Sequence, residues 1–195
     1  MTFPSEPQAR IAPLSTDDLS PGHLAILERI PGQGLKGDGF PKNVLGELMH
    51  NPKTLGHFLN YWVSSKTDLG FSVREQELVI LRMAVLYRSD YVWKHHVKVG
   101  REFGISDAEL DGLRSDGLEG IQLPRERALL QLTDAFVKER CLPPSLWEHT
   151  RAILLPSDFV DLIGLVSQYV LFALTNVCLQ VQLEPAVATL PGIDG

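Results

Sequence analysis

The sequence predicts an all-α fold, a compact bundle of about eight helices. Three observations carry this. Apolar residues recur at helical spacing through most of the chain, while no segment alternates strictly enough to read as a strand. Helix starts are marked repeatedly, by Ser72 with Glu75, Ser106 with Glu109, and Ser20 before Pro21. A long apolar stretch near the C-terminus is interrupted by Ser167, Gln168, Asn176, Gln180 and Gln182, as a core helix would be.

The organising unit is a helical hairpin at about 73–103. Ser72 and Glu75 form a capping box, and Arg74 to Tyr87 follows as a helix apolar nearly all round, hence buried. Ser89-Asp90 breaks it and offers Asp90 as a new N-cap. The second helix runs to about Phe103, and Gly104 is a natural stop.

At about 100° per residue, Val92, Trp93, Val97, Val99, Gly100 and Phe103 share one side of that second helix. Lys94, Lys98, Arg101, Glu102 and His95 share the other. The wheel therefore puts His95 on the rim and His96 in the core. Gly100, one turn on, leaves room for close approach. On the first helix, Glu77 lies on the stripe of Leu81, Ala84 and Arg88. A carboxylate there is costly unless paired or neutral, which makes Glu77 and His96 a candidate acid–base pair on neighbouring helices. Two plainer readings stay open: His96 as a satisfied core histidine, and Glu77 paired with Arg74 one turn back.

The remaining elements follow in order. Residues 1–16 read as an extended, proline-rich arm and 17–190 as one domain. A short helix starts at Ser20-Pro21. Gly32, Gly34 and Gly37 have G-x-G-x-x-G spacing, but no strand precedes them, so a flexible loop over a pocket is expected instead of a dinucleotide site. Asn43 to His50 is a short helix. Asn51-Pro52 opens the next, to about Lys66, with Leu55, Phe58, Leu59 and Trp62 inside. His50 and His57 lack a third ligand, so no metal site is expected. Ser106 to Arg114, Pro124 to Arg140, Ser145 to Leu154 and Asp158 to about Leu183 complete the set, with Glu184-Pro185 ending the last.

Composition narrows the function. The chain has 195 residues, 44% hydrophobic and 22% charged, with a net charge of −6. These values fit one globular domain. No basic stripe with interleaved aromatics is present, so nucleic acid is not an expected partner. The last helix lacks about 18 clean apolar residues, so no membrane span is expected. Cys141 and Cys178 form neither a disulfide framework nor a metal spacing, which suits a reducing cytoplasm. The N-terminus lacks the apolar core of a secretory signal. No nucleophile elbow, Walker loop, H-E-x-x-H or C-x-x-C occurs.

Glu77, then Ser89, Tyr91-Val92-Trp93, His96 and Gly104 resemble the signature of the carboxymuconolactone decarboxylase family, which includes the alkylhydroperoxidase D-like proteins. The resemblance extends to Pro41, Asn43 and His50-Asn51-Pro52, and to Gly164, Tyr169 and Asn176 in the late helix. It covers about Arg10 to Glu184. It implies an alkylhydroperoxidase D-like bundle, a homo-oligomer (dimer, trimer or hexamer), and a small lactone or carboxylated substrate handled without a cofactor. Two departures matter. The peroxidase branch needs two cysteines where this chain has Ser89 and Val92. The decarboxylase-like branch often has Glu where Val92 stands.

The resemblance thus implies a lyase or isomerase with His96 as proton donor, Glu77 orienting it, and Tyr91, Trp93 and Ser89 shaping the substrate site. An imidazole ordinarily titrates near pH 6.5, close to working conditions. A non-catalytic binding or assembly module on the same fold is the alternative. Thiol peroxidase chemistry ranks last, since it needs a thiolate and a resolving thiol.

Overall fold

The computed structural model describes residues 9–28, 42–65, 68–115, 118 and 120–188. The glycine-rich segment at 32–37 and Pro41 lie outside these, as do residues 1–8 of the arm. Among the described residues the chain is helical, with no strand. A 3-10 turn at Thr16–Asp18 precedes α1 (Pro21–Leu27), α2 (Lys42–Leu48), α3 (Pro52–Ser65), α4 (Val73–Tyr87), α5 (Asp90–Glu102), α6 (Asp107–Arg114), α7 (Pro124–Asp134), α8 (Pro144–Thr150), α9 (Pro156–Leu179) and α10 (Pro185–Ala188).

Helix α4 is the axis, packed against α5, α6, α7 and α9. Leu78, Val79, Leu81, Met83 and Ala84 are fully buried, on successive faces of the helix. That is the consequence of an apolar pattern that leaves no polar side. Two polar residues, Glu77 and Arg82, are buried on α4 as well, and Arg82 is the deeper. Its guanidinium is buried, makes two 2.6 Å bonds to Asp134 and donates to the Leu113 carbonyl at 2.7 Å. It joins α4 to α7 and to the end of α6. A buried guanidinium is tolerable only because its donors are met in this way.

Both predicted capping boxes form. Ser72 N–H donates to Glu75 Oε2 at 2.8 Å and Ser106 N–H to Glu109 Oε2 at 2.8 Å. The cap of α5 differs from expectation: Ser89, not Asp90, is the N-cap, its Oγ accepting from Val92 N–H. Arg88 takes a left-handed conformation at φ 55° to end α4, so the two helices turn back on each other within two residues. Gly104 stops α5 as expected, at φ 84°. Ile105 N–H reaches the Gly100 carbonyl at 2.9 Å and Gly104 N–H the Arg101 carbonyl at 3.1 Å, a Schellman end. The space over Gly100 is filled by Ile105 and Leu81, whose methyls lie 3.1–3.2 Å from where a Cβ would stand.

Other boundaries shift. The helix expected to reach Arg140 becomes a π-turn over Ala135–Glu139, and the helix expected to reach Leu154 ends at Thr150. Helix α9 ends at Leu179, because Gln180 is left-handed at φ 56°; Pro185 then opens α10. Helix α9 is long and apolar enough, by length and composition, to cross a membrane, yet half of its apolar window is buried in the bundle. Its other face carries Val160, Ile163, Leu171 and Leu174, all exposed and aligned along one side.

The N-terminal segment is fastened across the bundle. Arg10 N–H donates to the Leu179 carbonyl at 2.9 Å, at the end of α9, and Leu14 N–H to the Gly46 carbonyl at 3.1 Å. Pro13 lies so close that a Cβ on Gly46 would stand 2.6 Å from its own. Only glycine admits that crossing.

Candidate active site

Glu77 and His96 meet. Glu77 is buried on α4, and its Oε2 lies 2.8 Å from His96 Nδ1 on α5. Arg74, the other partner considered for Glu77, instead bonds Glu126 at 2.8 Å and also binds Glu109 and the Gly104 carbonyl. Facing a carboxylate, Nδ1 carries the ring hydrogen, which leaves Nε2 as the acceptor of a neutral imidazole. Tyr169 of α9 fills that position, its hydroxyl 3.3 Å from Nε2 and its ring edge-on at 5.5 Å. Burial pushes the Tyr169 phenol well above its ordinary value, and the negative charge of Glu77 adds to this. The phenol stays protonated and can donate to Nε2. The His96 side chain remains 19% exposed.

His95 is not on the rim. Its side chain is only 10% exposed, less than that of His96, and Nε2 lies 2.8 Å from Glu184 Oε2. Glu184 also accepts from the Tyr91 hydroxyl at 2.7 Å and from Asn43 N–H at 2.8 Å. Burial tends to raise the Glu184 carboxyl, but His95, Asn43 and Tyr91 together hold it below the usual carboxylate range. Burial beside Glu184 pushes the Tyr91 phenol far up. The wheel failed here because it counts only the helix's own residues. The C-terminal segment folds back over α5 and covers the face that the wheel left to solvent.

Of the residues expected to shape the substrate site, Tyr91 is thus directed at Glu184. Trp93 is buried with the Arg114 guanidinium 4.4 Å over its ring. Ser89 is buried as the α5 cap. Phe103, expected inside, is exposed. The residue the sequence reading placed only within a general resemblance, Tyr169, is the one at His96. Its signal was a phenol among the few polar groups that interrupt an apolar helix. Gly164, one turn and a half earlier, seats the Tyr61 hydroxyl: a Cβ there would stand 1.7 Å from it. Among the described residues, no group of three or more His, Cys, Asp or Glu is arranged to hold a metal ion.

Residues 52–135, from the start of α3 through α7, match the family model described as the carboxymuconolactone decarboxylase family. The stretch that carries Glu77, Ser89, Tyr91, Trp93 and His96 is carboxymuconolactone decarboxylase-like. Solved structures agree on the fold. The alkylhydroperoxidase AhpD core of an uncharacterized peroxidase-related protein from Ralstonia eutropha superposes with a TM-score of 0.76 at 16% identity, over 94% of this chain and 96% of that one. The apo debrominase Bmp8 gives 0.72 at 13% identity, over 94% and 97%. A variant of that debrominase was solved in complex with 2,3,4-tribromopyrrole. A protein of unknown function from Agrobacterium tumefaciens gives 0.65 at 19% identity, over 71% and 95%. No curated protein matches the sequence. The bundle is therefore AhpD-like and all-α, and at these identities the likeness shows the fold alone.

Proposed function

We propose that the protein is a cofactor-free acid–base enzyme of the carboxymuconolactone decarboxylase type, acting on a small lactone or carboxylated molecule. The observation that carries this is the chain Glu77–His96–Tyr169, with contacts of 2.8 and 3.3 Å. In decarboxylation the bond between carbon and carboxylate breaks, carbon dioxide leaves, and the electron pair enters a conjugated carbonyl. The carbon must then gain a proton. His96 would take up a proton from water at Nε2 and, as the imidazolium, deliver it from there to carbon, with Glu77 holding Nδ1–H and stabilising the positive ring. Tyr169 would hold Nε2 between turnovers and yield it to the substrate. Isomerisation uses the same parts, the proton being taken from one carbon and returned to another.

Thiol peroxidase chemistry has no support in the site. Ser89 and Val92 stand at the positions of the cysteine pair, and the two cysteines, Cys141 and Cys178, are free and exposed elsewhere. Binding without turnover is a second reading. It is favoured by the Tyr169 hydroxyl, which already occupies the one nitrogen a substrate would need.

The exposed apolar side of α9 supports a homo-oligomer, since patches of that kind are usually interfaces. The two free cysteines suit a reducing compartment such as the cytoplasm.

A screen of lactones and β-keto acids, followed by carbon dioxide release or isomer appearance, tests the proposal. Turnover lost in His96→Asn supports it. A ligand that binds tightly and is returned unchanged by the wild-type protein favours the second reading. Turnover undiminished in His96→Asn overturns the first.

A further inference from the structure

Glu47 of α2 is a buried acid that neither the Glu77–His96–Tyr169 chain nor the Glu184 cluster uses. It is 3% exposed, and neither carboxyl oxygen has a hydrogen-bond partner among the described residues. Val44, Leu45 and Met49 beside it are also buried. An ionised carboxylate so placed would be cut off from water and, among the described residues, would have no donor. Burial raises the Glu47 carboxyl to about 7, with His50 opposing.

The described groups around it are few. His50 lies just beyond the end of its own helix, and Asp18 faces His50 in turn. On α5, Tyr91 senses the charge of Glu47 and bonds Glu184, which holds His95. Among the described residues, no charged group of α3 or α9 acts on Glu47.

Helix α2 has seven residues, too short to stand without tertiary contacts. Its polar fastenings lie at its ends and outer side. Glu184 accepts from Asn43 N–H, Asn43 Nδ2 donates to the Gln182 carbonyl at 2.7 Å, and the Gly46 carbonyl accepts from Leu14 N–H. Just beyond the helix, His23 Nε2 is 3.0 Å from the Met49 carbonyl and His50 Nε2 is 2.9 Å from the Ala12 carbonyl. On the buried face the Val44 backbone bonds the Tyr91 hydroxyl, while the Glu47 carboxyl itself is held by burial alone among the described residues.

We propose that Glu47 is a pH-controlled release for α2: as the neutral acid it stays buried and α2 stays docked against the C-terminal segment, and as the carboxylate it draws α2 out towards water. Undocking removes the Asn43 contacts from Glu184 and Gln182 and so loosens the segment that holds His95, next to His96. The sign is fixed by linkage. The docked state favours the protonated acid, so undocking is suppressed at low pH and grows as pH rises through the docked value.

Hydrogen exchange of the full chain tests this, at about pH 6 and about pH 8.5, with rates corrected for intrinsic exchange. Amides of residues 44–50 should open up to about tenfold more at the higher pH, while those of α4 do not change. Glu47→Gln, which keeps the shape of the neutral acid, should abolish the difference. His50→Gln should leave it in place, which separates Glu47 from the nearby imidazole. A wild-type protein with equal opening at both values overturns the proposal. So does a difference that survives in Glu47→Gln or disappears in His50→Gln. Since wild type and His50→Gln are informative by themselves, the test stands even if Glu47→Gln fails to fold.

Discussion

His95 and His96 are adjacent on α5, yet each is held by a different carboxylate: Glu184 lies 2.8 Å from His95 Nε2, and Glu77 lies 2.8 Å from His96 Nδ1. One pair joins α5 to the C-terminal segment, the other joins α5 to α4. The rotation of α5 is therefore fixed from two sides, and His96 Nε2 is left against Tyr169.

The two histidines should fail differently. His96→Asn should lower turnover by about 10²- to 10⁴-fold, the range for a general acid or base, and should also cost some stability, since buried Glu77 loses its partner. His95→Asn should chiefly weaken folding, by about 1–3 kcal/mol, since Glu184 loses a charge-assisted bond in a buried place. Turnover and urea titration of both variants check this; loss of activity without loss of stability in His95→Asn would contradict it.

Acid should weaken the C-terminal clamp. Glu184 is held below the usual carboxylate range in the folded protein, with burial opposed by His95, Asn43 and Tyr91. Its stabilising contribution is therefore present above the unfolded carboxylate value and is lost as pH falls through the lower folded value. Glu184→Gln should flatten the acid side of the stability profile measured by urea unfolding. An unchanged acid limb would show that Glu184 carries none of this dependence.

Asp134 should be a costly site. Asp134→Ala leaves the wholly buried Arg82 guanidinium without its two 2.6 Å acceptor bonds. Breaking a buried pair in this way costs about 3–5 kcal/mol. Arg82→Met together with Asp134→Ala should recover part of the loss, because the guanidinium that lost its carboxylate is gone. Chemical denaturation of the single and double variants measures the difference.

Gly46→Ala should detach the N-terminal segment. The added methyl would stand 2.6 Å from Pro13 Cβ and 3.3 Å from the Leu14 carbonyl oxygen, so backbone must move. Overpacking costs about 1–3 kcal/mol. Exchange of the Leu14 amide should rise while α4 stays protected; equal protection of Leu14 in both proteins would refute the account.

If the exposed side of α9 is an interface between copies, Ile163→Glu and Leu174→Glu, at side chains 52% and 45% exposed, should lower the oligomer mass in light scattering without unfolding the chain. A wild-type protein that is already a monomer at micromolar concentration would remove the proposal.

The sequence by itself determined the helices and the central hairpin. Ser72 and Ser106 are capping signals that act within one turn, and the apolar stripe of α4 has no polar side to expose. Glu77 was out of place on that stripe, and a buried acid must be paired or neutral, so His96 was legible as one of two candidate partners, with Arg74 the other. Tertiary structure decided the rest, because burial is a property of what lies opposite. His95 looks solvent-facing on its own helix and is covered only when residues 180–188 return across α5. Tyr91 sits in the motif, but its hydroxyl went to Glu184, 93 positions away. Tyr169 joined His96 from 73 positions away, through the packing of α9 on α5. Glu47 had no sequence signal at all: one acid on a seven-residue helix becomes unusual only when the bundle closes around it and, among the described residues, supplies no donor.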